Sequence, residues 1–211
     1  MERKLLDTWR EFQILKELEV QASLGKSFYL HQRMLHFMQN LTYYMLFEVI
    51  EPRWHAFDKA VVESCANIDD VVAAHGQLQD GILKECLLTN QGLLQILTKL
   101  MTTALLFSEQ IKRFAEANDT AARRNVDTAP GAARRAQLDV RSRQVKSELG
   151  QEGYARMIQE FEANFDDLLG LFMAKLWSDA KIQYHSHLSA LCTRLDFNGF
   201  LSARWGEFGA R

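Results

Sequence analysis

Residues 41–57, LTYYMLFEVIEPRWHAF, decide how the chain is read. The run packs aromatic and aliphatic side chains together, yet plants Glu48 and Glu51 inside it. It closes on Pro52, Trp54 and His55. Four readings compete: a membrane segment, a catalytic carboxylate pair, a core helix, or a surface that another protein covers.

The membrane reading fails first. Residues 45–47 and 49–50 are apolar, but Glu48 splits them, and a bilayer span needs about 20 apolar residues. Working outward, a helix is expected over residues 27–51. Leu30, Met34, Phe37, Leu41 and Tyr44 lie on one face, with Leu35, Met38, Met45 and Val49 on its flank. Gln32, His36, Gln39, Asn40 and Tyr43 form a narrow polar stripe. A helix apolar on nearly every side is central in a bundle or covered by a partner. Pro52 is tolerated in a first helical turn, so a kink and a short helix to residue 61 should follow.

The rest of the chain is read in the same way. Leu5, Trp9 and Phe12 mark an amphipathic helix over residues 2–20, broken at Ser23, Leu24 and Gly25. Asn67 can cap a helix running to about residue 87, with Asp69 and Asp70 at the positive end of its dipole. Thr89 and Asn90 restart a helix that reaches Phe114. Residues 115–152 then lose their aromatics and most aliphatics and predict a flexible insertion. Helical spacing resumes at Tyr154 through Leu176, and a last helix spans residues 181–195. No period-two alternation suggests a strand. The expected class is all-α, an antiparallel bundle of six to eight helices with one disordered insertion. The domain runs from residue 1 to 114 and resumes over 153–211.

Bulk properties narrow function. The 211 residues are 47% hydrophobic and 25% charged, with 2 prolines and 11 glycines, as in a helical globular chain. A net charge of −2 gives no general pull toward nucleic acid or anionic lipid. Arg123, Arg124, Arg134 and Arg135 are offset by Asp119, Asp127 and Asp139, so no nucleic-acid partner is expected. Cys65, Cys86 and Cys192 are odd in number and widely spaced, which argues against a disulfide framework or zinc ribbon. The N-terminal MERKLLDTWREF lacks the apolar core of a signal peptide.

Candidate chemistry is thin. Glu48 and Glu51 are neighbours on a helix face and His55 follows four residues on, yet no nucleophile, metal set or phosphate cradle accompanies them. Pairing of the carboxylates with arginines such as Arg33 or Arg53 is the alternative. His185 and His187, two apart, point to different sides of a helix. Asp196, Asn198 and Glu207 mimic a calcium loop, but Phe200 and Leu201 occupy a ligand position and the glycine position. The sequence from Asp196 to Phe200 reads better as a helix stop, with Asn198 and Gly199 left-handed and Phe197 and Phe200 packed back on the core. Asn40 and Asn118 head glycosylation patterns that mean nothing without secretion. No catalytic residue, cofactor or metal ligand is expected.

Three blocks carry a resemblance. They are HQRMLHFMQNLTYYMLFEVIEPRW at residues 31–54, NIDDV at 67–71 followed by LKECLLTN at 83–90, and RLDFNGF at 194–200. Their order and content resemble the C-terminal Grip domain of gamma-tubulin complex components, most of all the component 2 branch. The resemblance covers most of residues 5–114 and 154–204. It implies a helical domain that binds gamma-tubulin, pairs with other components (component 3 in particular), and supports microtubule nucleation at centrosomes or spindle poles in the cytoplasm. It implies no enzyme and no membrane insertion. Family members are several times longer, with an N-terminal domain that makes lateral contacts; this chain starts inside the C-terminal domain. Arg33, Tyr43, Glu48, Glu51, Arg53, Trp54 and His55 are the candidate gamma-tubulin contacts, because interfaces favour aromatics and arginine at their centres. Tyr44 and Phe47 are expected inside. The rival readings are a truncated helical domain without independent activity and a helical enzyme using Glu48, Glu51 and His55.

Overall fold

The computed structural model describes residues 3–8, 21–126, 151–183 and 186–205. After helical residues 3–8 come α1 (Gln21–Tyr43), a π-helical stretch (Tyr44–Ile50), α2 (Glu51–Glu63), α3 (Ile68–Glu85) and α4 (Gln91–Val126). They are followed by α5 (Gln151–Gln183), α6 (Ser186–Leu195) and α7 (Phe200–Trp205). No strand occurs among the described residues, so the class is all-α, as the sequence predicts. Residues 9–20, residues 127–150 of the expected insertion, His185 and Glu207 lie outside the described residues.

Several boundaries differ from expectation. Helix α1 runs straight through Ser23, Leu24 and Gly25. A helical glycine costs about 1 kcal/mol relative to alanine, which one turn without proline can absorb. Helix α4 continues past residue 114 to Val126, because alanine and arginine favour helix there and no proline stands before Pro130. The kink expected at Pro52 is replaced by a wider turn. Ile50 and Glu51 keep helical dihedrals (φ −68°, ψ −49° and φ −62°, ψ −50°), and the Glu51 N–H donates to the Leu46 carbonyl, five residues back. In an α-helix the Pro52 ring would collide with the carbonyl of Glu48. Widening the turn before it relieves that collision.

Capping follows local chemistry. Asn67 caps α3 as expected: its Oδ1 accepts the Asp70 N–H at 3.0 Å, and Asp70 Oδ2 accepts the Asn67 N–H at 3.2 Å. The helix stops at Glu85, two residues early, because Leu87 is left-handed with φ 66°. There the Leu88 N–H reaches the Leu83 carbonyl at 3.0 Å and the Leu87 N–H the Lys84 carbonyl at 3.2 Å, a Schellman closure built on leucine rather than glycine. Asn90 caps α4, its Oδ1 accepting the Leu93 N–H at 3.2 Å while its Nδ2 donates to Asp179 at 2.7 Å. At the C-terminal turn Gly199 is left-handed as expected (φ 65°), whereas Asn198 is not. Phe197 and Phe200 do not pack back; Phe197 is 87% exposed. The Asp196 carboxylate sets the turn by accepting the N–H groups of Leu201 (2.7 Å) and Ser202 (2.9 Å), and it is Leu201 that is buried.

The chain divides into two compact units, residues 1–36 with 101–166, and residues 37–100 with 167–211. The first unit buries Leu5, Leu30, Met34, Phe107, Ile111, Ile158 and Phe165. Two of its buried polar contacts are made by His31 Nε2, which donates to the Leu5 carbonyl at 2.6 Å, and by the Tyr154 hydroxyl, which meets Ser27 Oγ at 3.0 Å. The second unit buries Phe37, Leu41, Tyr44, Val49, Leu93, Leu97, Phe172, Met173, Leu176 and Leu191. Phe37 and Phe172 meet edge to face at 5.7 Å.

Burial of His31 disfavours its charged form and lowers its pKa from the ordinary 6.5, against the opposing pull of the Leu5 carbonyl. A base with a depressed native pKa contributes stability above its unfolded value and loses it as pH falls through the native one. Denaturant melts at pH 7.5 and pH 5 should therefore show weaker stability at the lower pH. The gap should narrow in His31→Gln, which keeps a donor for Leu5 but cannot titrate.

Candidate functional site

The second unit converges on Glu85, the last residue of α3. Tyr44 is fully buried, and its hydroxyl donates to the Glu85 backbone carbonyl at 3.0 Å. Burial, with the charges of Glu85 and Glu48 behind it, raises the phenol pKa, so the group stays a neutral donor. From beyond the π-helical stretch, Arg53 grips the Glu85 side chain with two bonds, Nε to Oε2 at 2.7 Å and Nη2 to Oε1 at 2.5 Å. That fork holds the carboxyl below the usual carboxylate range. Gly81 makes room for it: a Cβ at that position would overlap the Arg53 guanidinium.

A second clasp sits on the same stretch. Arg194, near the end of α6, donates through Nε to Glu48 Oε1 at 2.7 Å and adds an Nη2 contact to the same oxygen. Its guanidinium also lies 4.0 Å from the centre of the Tyr43 ring, a cation–π contact. Tyr43 in turn leans on Phe47, with ring centres 4.8 Å apart.

Large apolar and aromatic side chains are exposed both before and after Glu48 along the chain. Tyr43, Leu46, Phe47 and Trp54 are 45%, 47%, 53% and 54% exposed. Trp54 touches Phe57 at 5.7 Å, and Phe57 meets His75 at 5.9 Å. Glu51 and His55 are exposed and lie 3.9 Å apart along α2. Large exposed apolar groups clustered beside charged ones are what interaction surfaces present.

The candidate residues thus separate. Tyr43, Glu48, Glu51, Arg53, Trp54 and His55 all lie in the second unit. Arg33 lies in the first, where it pairs with Asp166 and, at 3.7 Å, with Glu162. Carboxylate–arginine pairing is present as expected, with other partners: Glu48 takes Arg194 and Arg53 takes Glu85. Tyr44 is inside as expected, but Phe47 is not. Phe47 was misplaced because the wider turn rotates it away from the Tyr44 side, whereas Leu46, two residues from Tyr44, lies opposite the core in either helix. Glu85, Arg194 and Gly81 were missed because nothing local marks a pair 32 or 146 positions apart. The enzyme constellation does not assemble. Glu48 is held by Arg194, while Glu51 and His55 face solvent. A cavity of about 440 Å³ beside the α3–α4 turn is lined instead by Lys84, Leu87, Thr89, Asn90, Gln91, Leu93, His187 and Leu188.

The described residues define an all-α helical domain with exposed aromatic side chains, of which Tyr43 is backed by Arg194. The family model described as "Gamma tubulin complex component C-terminal" matches residues 1–201. The chain is 31% identical to Gamma-tubulin complex component 2 of Mus musculus over its full length, and 30% identical to the Gamma-tubulin complex component 2 homolog of Drosophila melanogaster over 95% of it. It is 38% identical to the Spindle pole body component alp4 of Schizosaccharomyces pombe over 42% of its length, which is 11% of that protein. The chain belongs to the gamma-tubulin complex component family. It spans about a quarter of the length of the mouse and fly relatives.

The packing of Arg53 over Gly81 makes a signed prediction. Gly81→Ala should gain about 0.5–1 kcal/mol of helix propensity and lose a comparable amount by expelling Arg53 from Glu85, so stability barely moves. In an Arg53→Ala background the same change should stabilise by about 0.5–1 kcal/mol. A denaturant double-mutant cycle measures the difference.

Proposed function

We propose that the chain is a gamma-tubulin-binding component of a gamma-tubulin complex. In this reading it supports microtubule nucleation at microtubule organising centres and spindle poles. The observation that carries it is the family match over residues 1–201, together with relatives named for the gamma-tubulin complex and the spindle pole body. The surface around Tyr43, Phe47 and Trp54, flanked by Glu51 and His55, is the part of the second unit suited to receive the partner. The same reading extends to association with other complex components, component 3 in particular, supported by the family match. In this reading the role is structural rather than catalytic, supported by the family match and by the pairing of Glu48 with Arg194.

Purified gamma-tubulin should be retained by the immobilised chain at micromolar concentration. Trp54→Ala and Phe47→Ala should each weaken retention about tenfold, as truncation of an aromatic anchor does. A chain shown folded by circular dichroism that retains no gamma-tubulin would overturn the reading.

A further inference from the structure

Besides the Pro52 ring, the π-helical stretch has a second cause visible in its sequence. In an α-helix, positions 37, 41, 44 and 48 share one face. Phe37, Leu41 and Tyr44 are buried there, so an α-helical continuation would carry the Glu48 carboxylate into the core. The wider turn places Val49 inside instead, five residues beyond Tyr44 and fully buried. Glu48 is thereby left at the edge, its side chain 28% exposed against Arg194.

The grip on Glu85 demands the same geometry. Tyr44 and Arg53 are nine residues apart, which in an α-helix sets them about 180° apart around the axis. Both nevertheless reach Glu85. A stretch with more residues per turn rotates the chain less per residue and brings the two toward the same side of α3.

We propose that the Glu48–Arg194 pair is a register clasp. It holds residues 44–50 in the wide turn, and so sets the angle at which Trp54 is presented relative to Tyr43 and Phe47 on the surface read above as meeting gamma-tubulin. The inference rests on that reading for its functional half. Glu48 and Arg194 act as positioning residues: the ion pair keeps the carboxylate out of the core, and the guanidinium fixes the Tyr43 ring from behind. With the Pro52 ring, the other reason for widening, removed as well, an apolar residue at position 48 lets the stretch close into an α-helix, which swings Trp54 round toward the Tyr43–Phe47 side and changes the angle between them.

On its own, Pro52→Ala should keep both the Glu51–Leu46 bond and binding. The test adds to that background Glu48→Leu/Arg194→Met, giving a triple variant that deletes the pair without stranding either charge. Its crystal structure should show the Glu51 N–H bonded to the Phe47 carbonyl in place of Leu46. Its melting temperature should match or exceed that of the unaltered chain, and its retention of gamma-tubulin should fall about tenfold or more. In the same background the charge-reversed pair Glu48→Arg/Arg194→Glu should keep the wide turn and binding within about threefold, whereas Arg194→Glu alone should not. Persistence of the Glu51–Leu46 bond in the apolar variant would overturn the clasp, as would α-helical closure with undiminished binding. If the unaltered chain itself retains no gamma-tubulin, the functional reading falls, and the carbonyl that accepts the Glu51 N–H still decides whether the pair sets the register.

Discussion

Glu85 is gripped twice, by its backbone and by its side chain, and the second unit is arranged around that double hold. Its carbonyl is one of those a helix leaves unpaired at its end, and the Tyr44 hydroxyl supplies the missing donor. The preceding carbonyls are closed in sequence, Leu83 by Leu88, Lys84 by Leu87 and Ile82 by Cys86, so the end of α3 owes no hydrogen bond to solvent at these positions. The carboxylate then takes the Arg53 fork, a charge-assisted pair in a half-buried seam. Taken alone, such a pair contributes about 1 kcal/mol once solvent screening is allowed for. Its larger effect is directional, because it ties α2 to α3 on the far side of the π-helical stretch from Tyr44.

Much of the fold is legible in the sequence because apolar spacing is a local property. The helical positions Leu30, Met34, Leu41 and Tyr44 are buried as their spacing requires, and Asn67 caps where an asparagine followed by acidic residues should. What escapes is whatever depends on a partner distant along the chain. Arg194 is a polar residue near a helix end until the fold brings it to Glu48. Gly81 is a mild helix defect until Arg53 lies across it. The outward turn of Phe47 is an intermediate case: its signal is present, since Glu48 falls where Tyr44 plus one α-turn should put a core residue. Reading that conflict as a change of helix type, rather than as a carboxylate at a seam, requires knowing that Val49 has taken the core position.

The aromatic surface and the anchors behind it differ in kind. Tyr43 and Trp54 are exposed on one side, yet each stands next to an arginine or aromatic neighbour that restricts its rotamers. A side chain already restrained gives up less conformational entropy when a partner covers it. Glu51 and His55, by contrast, form a solvent-screened pair whose direct contribution is small.

Leucine at position 87 has a consequence of a different sort. A left-handed residue at a helix end is ordinarily glycine, whose backbone visits that conformation unaided. Leu87 gains its place only by burying its side chain, which is 2% exposed. The turn between α3 and α4 therefore carries little preference of its own and closes when the surrounding apolar groups are already assembled. It should close late in folding, after α3 and α4 have formed and found one another, since the left-handed Leu87 depends on the core for its place.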